Sequence, residues 1–196
     1  MDKQIVLVIG GPGKSGSTTI AKMLSEYFQL EMVSGGLLFR REAKRKGFNS
    51  LEEYLSEMSN KEILEFDKVV DNKLREYAKH GNILIESKVF AGIATKENIY
   101  CSAKIWLKAK IDVRVKRAIG KEDIKSPIKK FFKKIEIKKN LLKRYNVDKS
   151  RYMELYGIDY DAPEKYNDLV IDSSNQNPEE TFNLIINFLN NAGIKK

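Results

Sequence analysis

Gly11, Pro12, Gly13, Lys14, Ser15, Gly16, Ser17, Thr18 and Thr19 form a run of small and hydroxyl-bearing residues with one lysine inside it. Such a run suits phosphate. Consecutive backbone N–H groups in a tight turn, followed by the N-terminus of a helix, attract phosphate oxygens whatever the side chains are. Glycines let the backbone pass close to the ligand. The spacing matches the phosphate-loop template G-x-x-x-x-G-K-[ST] at Gly11, Gly16 and Thr18. Thr18 supplies the hydroxyl expected to coordinate Mg²⁺. The match fails at Ser17, which stands where the template has the lysine that reaches the β- and γ-phosphates. Ser17 offers a neutral hydrogen bond and no charge. Lys14 lies three residues earlier at the loop apex, and two readings stand for it. Its flexible stem folds back over the phosphates as a displaced catalytic lysine, or it points into solvent.

Three further segments carry polar and charged groups at element ends. One is Ser34-Gly35-Gly36-Leu37-Leu38-Phe39-Arg40, another Glu86-Ser87-Lys88. The third is a string of cations at Arg114, Arg117, Lys121, Arg144 and Arg151. In open parallel sheets, ligands bind beyond the carboxyl ends of the strands, so these segments are expected to converge on one cleft. Arg40 and Lys88 would then suit a monophosphate, and arginines on a mobile lid would face a transferring phosphate. Plainer roles stand beside these. Arg40 lies in a run with Arg41, Lys44, Arg45 and Lys46 and reads equally as an exposed helix residue. Glu86 reads as an N-cap or an ion-pair partner, and Arg144 or Arg151 as partners of Asp148 or Glu154.

The elements that must position these groups alternate. Ile5–Ile9, Leu30–Val33, Asn82–Glu86, Ala103–Leu107 and Asp168–Asp172 read as five strands, the first feeding the glycine-rich turn. Helices are expected over Thr18–Phe28, Leu38–Lys46, Lys61–Tyr77, Ile111–Ile119 and Pro178–Leu189. Gly35-Gly36 is read as a break, and Asn49 or Ser50 as the cap of a further helix. In the Lys61–Tyr77 helix, Ile63, Phe66, Val70 and Leu74 fall at helical spacing. Ser126-Pro127 opens a long basic helix, with proline at its first position. Ile128, Phe131, Phe132, Ile135, Leu142 and Tyr145 give that helix one apolar side, read as a packing face. Five buried strands separated by helices imply an α/β fold with a parallel sheet covered on both faces.

The chain has 196 residues, 42% of them hydrophobic, enough for one domain with a substantial core. No apolar run reaches the roughly 18 residues needed to span a bilayer. The first residues lead directly into a core strand, which argues against a secretory leader and for the cytoplasm. The single cysteine, Cys101, excludes an internal disulfide and a cysteine metal cluster. His80 reads as a helix-end or turn residue. The net charge of +9 is unevenly spread: residues 104–151 hold 18 Lys/Arg against 5 Asp/Glu, and the rest of the chain is 18 against 22. A basic lid over polyphosphate and an RNA-binding patch both fit such a segment. The phosphate loop favours the lid, and few aromatics are interleaved with the charges, which argues against nucleic acid.

Taken in order, SGGLLFR, LIESK, KIWLKA, RYMELYGID and YNDLVID resemble the nucleoside monophosphate kinases, most closely the short archaeal-type cytidylate kinases. The resemblance covers nearly the whole chain. It implies a P-loop three-layer α/β/α sandwich with a five-stranded parallel sheet, NMP-binding helices over about 34–80 and a helical basic lid over about 117–151. It implies ATP and Mg²⁺ as cofactors, small-molecule nucleotides as partners, and a monomer by default. By resemblance Ser34, Arg40 and Lys88 contact the acceptor, Glu86 stands near Mg²⁺ with Thr18, and Arg117, Arg144 and Arg151 are lid arginines. The chain departs from the family pattern at Ser17 (lysine), Leu37 (aspartate), Ser87 (glycine) and Lys88 (arginine). Two activities are compatible with these departures: phosphorylation of CMP or dCMP, and nucleotide binding by a degenerate kinase site. An RNA-associated ATPase is a third.

Overall fold

Short apolar runs between turn signals become the strands β1 (Val6–Gly10), β2 (Glu31–Ser34), β3 (Ile83–Glu86), β4 (Ala103–Lys108) and β5 (Leu169–Asp172). The computed structural model describes residues 4–48, 57–120 and 124–196. All four strand pairings are parallel, in the order β2–β3–β1–β4–β5. Helices α1 (Ser17–Phe28), α2 (Gly35–Arg45), α3 (Asn60–His80), α4 (Phe90–Lys96), α5 (Ile111–Ile119), α6 (Pro127–Tyr156) and α7 (Pro178–Asn191) connect and cover them.

Alternate residues of each strand enter different cores, as the period of two demands. Val6, Val8, Ile83 and Ile85 pack with Leu74 of α3, Phe90 of α4 and Tyr152 of α6. Leu7, Ile9, Leu84 and Ile105 pack with Ile20 and Leu24 of α1 and Ile185 and Leu189 of α7. The expected three-layer α/β/α sandwich is therefore the observed one. Among the described residues, no helix is long and apolar enough to cross a membrane.

Local chemistry sets the helix starts. Ser59 and Glu62 form a reciprocal capping box at α3, and Asn177 with Glu180 does the same at α7. His80 ends α3, its Nδ1 2.7 Å from the Glu76 carbonyl oxygen. The expected break at Gly35-Gly36 is instead the first turn of α2, because the Ser34 hydroxyl accepts from Leu37 N–H at 3.3 Å and caps it. Helix α4 carries no signal in the sequence: its first five residues are all buried, so no polar face marks a helical period. The expected cap at Asn49 or Ser50 and the cation Lys121 lie outside the described residues.

Helix α6 corrects a second expectation. Its 30 residues extend for about 45 Å. The C-terminal half buries Asp148 and Tyr152, and Tyr145 packs with Tyr160. Ile128, Phe131, Phe132, Ile135 and Leu142 are 45–70% exposed, so this stripe is not a packing face among the described residues. The helix instead turns a different side toward α5, where Lys138 pairs with Asp112 at 2.9 Å. Phe132→Ser is accordingly expected to change unfolding free energy by less than about 0.5 kcal/mol. Leu84→Ala, in the centre of the sheet, should cost about 2–5 kcal/mol. Comparable losses in denaturant unfolding would show the stripe to be packed.

Candidate active site

The register of the sheet brings the polar ends together. Ile9 pairs with Glu86, and Glu86 with Ser34, so β1, β3 and β2 finish in one row. At that row the Glu86 carboxylate accepts from three hydroxyls on two segments, the start of α1 and the end of β2. Thr18 donates to Oε1 at 2.7 Å, Ser17 to the same oxygen at 3.2 Å, and Ser34 to Oε2 at 2.6 Å. Thus Ser17, at the template's lysine position, spends its hydroxyl on Glu86. Glu86 forms no ion pair with a described residue and is neither N-cap nor salt-bridge partner.

The loop between β1 and α1 is held from both sides. A Cβ on Gly11 would stand 2.3 Å from the Leu107 carbonyl oxygen and 2.4 Å from Ser15 Oγ, so only glycine fits. Ser15 N–H donates back to Pro12 O at 3.0 Å, and Lys14 takes a left-handed φ of 68° at the apex. No side chain caps α1 at Gly16, which leaves N–H groups of its first turn for an anion. Arg114 is buried, with Nε donating to Gly13 O at 2.8 Å. Arg117 donates from Nη1 to Ser15 O at 2.7 Å and from Nη2 to Ser173 O at 2.6 Å. Both arginines brace the loop through its carbonyls. Arg117 therefore stands apart from Arg144 and Arg151, with its guanidinium committed to backbone rather than facing them.

Two clefts meet at this loop. One, of about 280 Å³, runs from Gly13, Lys14, Ser17 and Thr18 past Ser34, Arg40, Glu86 and Lys88 to Arg144 and Arg151. The other, of about 570 Å³, is bounded by Ser15, Gly16, Thr19, Arg117, Ser173 and Pro178. Lys14, Ser17 and Thr18 border both. Lys14 is exposed and makes no hydrogen bond or ion pair with a described residue, which leaves its ammonium free to move between the clefts. Arg40 is exposed at the rim, its Nη1 3.5 Å from where a Cβ on Gly36 would stand.

The first cleft is also lined by Asp67 and Asp71, acids that sequence reasoning passed over. Lys88 Nζ binds Asp148 Oδ2. Arg151 Nη2 reaches Asp148 Oδ1 at 3.1 Å, and its Nε lies 3.1 Å from Asp67 Oδ2. Asp71 accepts from the Tyr156 hydroxyl at 2.7 Å. Asp67 and Asp71 are only 3% and 4% exposed. Their signal was present: they fall on the same inward face of α3 as Ile63, Val70 and Leu74, where a carboxylate has no reason to be unless it serves a site. The pairing of Arg151 with Asp148 realises the plainer role weighed for that arginine.

Burial sets the protonation of these acids. It pushes Asp67 up to about 7, with Arg151 and Lys88 pulling down and Asp71 and Asp148 pushing up. It pushes Asp71 up to about 6, opposed by the Tyr156 hydrogen bond, Arg75 and Arg151 and reinforced by Glu97. Burial also draws the Lys88 ammonium down, against the pull of Asp148.

An oxygen-rich set suits a hard divalent cation, and it is supplied by the Thr18 hydroxyl, where the two clefts meet, and the Glu86 carboxylate on the wall of the first. Among the described residues there is no cluster of three or more His, Cys, Asp or Glu side chains able to hold a metal alone. Mg²⁺ fits this arrangement because it binds through one or two protein oxygens together with substrate phosphates.

A phosphate loop after the central strand of this five-stranded parallel sheet, with two clefts meeting at it, defines a P-loop kinase fold. A family profile described as an AAA domain matches residues 9–129. Cytidylate kinase of Methanocaldococcus jannaschii is 35% identical over 187 residues, covering 95% of this chain and 98% of that protein. Cytidylate kinase of Pyrococcus horikoshii is 36% identical over 184 residues, covering 93% and 86%. The solved shikimate kinase of Bacteroides thetaiotaomicron shares the fold, with a TM-score of 0.63 at 13% identity over 96% of this chain and 99% of that one. The chain belongs to the cytidylate kinase family of P-loop kinases, as its ordered motifs implied.

The acids carry a pH prediction. An unfolded aspartate titrates near ~3.9. Between that value and about 7, folded Asp67 keeps a proton that the unfolded chain has released, so its contribution to stability falls as pH rises through this window. The thermal midpoint of Asp67→Asn should therefore decline less between pH 5 and pH 7.5 than that of the parent protein. Parallel declines would mean that Asp67 is ionised throughout.

Proposed function

We propose that this chain transfers the γ-phosphoryl group of ATP to a nucleoside monophosphate, with CMP or dCMP as acceptor. The observation that carries the reading is the meeting of two clefts at Lys14, Ser17 and Thr18, one for the donor and one for the acceptor. The relatives named cytidylate kinase support the choice of acceptor.

In this reading the larger cleft takes the nucleoside of ATP, and the loop N–H groups from Gly13 to Thr19 hold its phosphates. Arg117 acts here as a brace: by fixing Ser15 and Ser173 it sets the distance between the loop and the nucleoside wall. In the smaller cleft Ser34, Arg40 and Lys88 hold the acceptor phosphate. Arg144 and Arg151 approach from α6, neutralise charge on the transferring group and keep out water that would otherwise consume ATP. An oxygen of the acceptor phosphate attacks the γ-phosphorus in line, its bond to the β–γ bridging oxygen breaks, and ADP leaves. Thr18 and Glu86 would hold Mg²⁺, which when bound would supply charge neutralisation for the transfer. Lys14 provides the mobile cation that Ser17 does not.

The competing reading is a nucleotide-binding protein without efficient transfer, favoured by Ser17 and by the engagement of Lys88 with Asp148. ADP formation from Mg·ATP with CMP, dCMP, UMP, dTMP, AMP or GMP added singly separates the two. Turnover with CMP or dCMP well above a no-acceptor control is expected. ATP binding with no acceptor-dependent ADP would select the competing reading. Within the kinase reading, Lys14→Ala should lower kcat by about 10²–10³-fold, the scale of losing one preorganised charge-stabilising group. Ser17→Ala should change it by less than about tenfold, and equal minor losses would reject the displaced lysine.

A further inference from the structure

Helix α6 lines the smaller cleft with Arg144 and Arg151, and its N-terminal half exposes a surface of another kind. Ile128, Phe131, Phe132, Ile135 and Leu142 recur at spacings of three and four and fall within about 100° of the helix circumference. The stripe runs for about 21 Å. Its exposure is highest at the N-terminal end, 70% at Ile128 and 64% at Phe132. There the Phe131 and Phe132 rings stand 5.8 Å apart, edge to face. Ile137 and Leu141 lie on the opposite side and are partly buried. Leu141 Cδ2 is 3.6 Å from where a Cβ on Gly13 would stand. The stripe therefore points away from the phosphate loop, and a partner can cover it without lifting the helix.

Charge selects the occupant. From Lys125 to Arg144 the chain holds nine Lys/Arg and one acid, Glu136, which Lys133 engages at 3.0 Å. By helical position Lys129 and Lys143 border the stripe on one side, Lys134 and Lys138 on the other. Two copies of this chain packed stripe to stripe would set these cations against each other. An RNA backbone would answer the lysines and leave Ile128, Ile135 and Leu142 uncovered. Lys139 separates a protein groove from a lipid surface. It is exposed and lies inside the stripe, four residues after Ile135 and three before Leu142. In a dry groove its ammonium would be buried and would need an acid aimed at that one point. At a bilayer its stem lies along the apolar boundary while the ammonium reaches back to headgroup phosphates.

We propose that the N-terminal half of α6 docks on an anionic membrane surface, with Phe131 and Phe132 entering the acyl boundary and the surrounding lysines on headgroup phosphates. The helix lies on the bilayer and does not cross it, in keeping with the absence of a spanning helix among the described residues. The inference stands independently of the kinase reading.

The test is co-sedimentation of the full chain with vesicles of phosphatidylcholine, alone or with about one third phosphatidylglycerol. The parent should bind the anionic vesicles at least about tenfold more tightly than the neutral ones, and less tightly as salt rises from about 0.1 to 0.5 M. The double variant Phe131→Ser, Phe132→Ser should bind the anionic vesicles at least about tenfold more weakly than the parent. Equal binding by parent and variant would overturn the proposal, because a chain of net charge +9 adsorbs to anionic surfaces by charge alone. Failure of the parent to bind anionic vesicles would overturn it as well. In that case, self-association abolished by the double variant would assign the stripe to a second copy, and retention of mixed-sequence RNA would assign the segment to nucleic acid. If the double variant does not fold, Lys139→Glu tests the same partition, because it places a carboxylate inside the stripe. It should weaken anionic binding by at least about tenfold, and unchanged binding would overturn the proposal.

Discussion

One carboxylate organises the site. Glu86 ends the strand between β1 and β2 and binds hydroxyls from α1 and from the turn after β2, so its two oxygens tie together segments up to 69 residues apart. Nothing in that arrangement depends on a loop finding its place independently. Parallel pairing sets Glu86 beside Ile9 and Ser34, and the strand ends then deliver the phosphate loop, the carboxylate and the capping serine to the same edge. Ser34 serves twice, donating to Glu86 and accepting from Leu37 N–H, which couples the start of α2 to the site. The helix that carries Arg40 is thus aimed by the same serine that touches the carboxylate.

The arginines divide by what they hold. Arg114 and Arg117 are close in sequence on α5, and both spend N–H groups on carbonyls of the phosphate loop. Arg144 and Arg151 lie on α6 and line the smaller cleft. A dense basic segment therefore does two jobs at once. It braces a loop whose own residues are small and whose N–H groups must stay available, and it surrounds a cleft with cations. Acids on α3 and α6 hold Arg151, and Asp148 also holds Lys88. Arg151, between Asp67 and Asp148, is held at the cleft by an acid on each side.

What was legible in the sequence follows from which features are local. The five strands, the sandwich and the phosphate loop are written in short apolar runs and glycine spacing, and the structure reproduces them. Glu86, Ser34, Lys88 and Arg40 were foreseen at one cleft because strand ends in a parallel sheet converge. The burden on Arg117 was not legible, since its partners Ser15 and Ser173 lie 102 and 56 residues away. Nor was the outward turn of Ile128, Phe131, Phe132 and Ile135, because helical spacing shows that a stripe exists without saying what lies beside it. Asp67 and Asp71 were visible on an inward helical face, but their role depends on Arg151 and Tyr156 arriving from α6.

The substitution at Ser17 has a consequence for charge. A lysine there would stand beside Glu86 and neutralise it, whereas a serine hydroxyl binds the carboxylate without cancelling its charge. With no described cation paired to Glu86, phosphates entering above the loop add negative charge to an uncompensated acid. In a partly buried site that repulsion is strong, and only a cation relieves it. Two sources are at hand. A divalent ion, if held by Thr18, Glu86 and phosphate oxygens as proposed, would gain from the same uncancelled carboxylate that would repel ATP alone. The Lys14 ammonium is the other, on a left-handed apex residue bordering both clefts. Under the proposed kinase reading, moving the positive charge from the helix start to the loop apex would exchange a fixed cation for a mobile one, and nucleotide binding would then depend more on a metal than with a lysine at position 17.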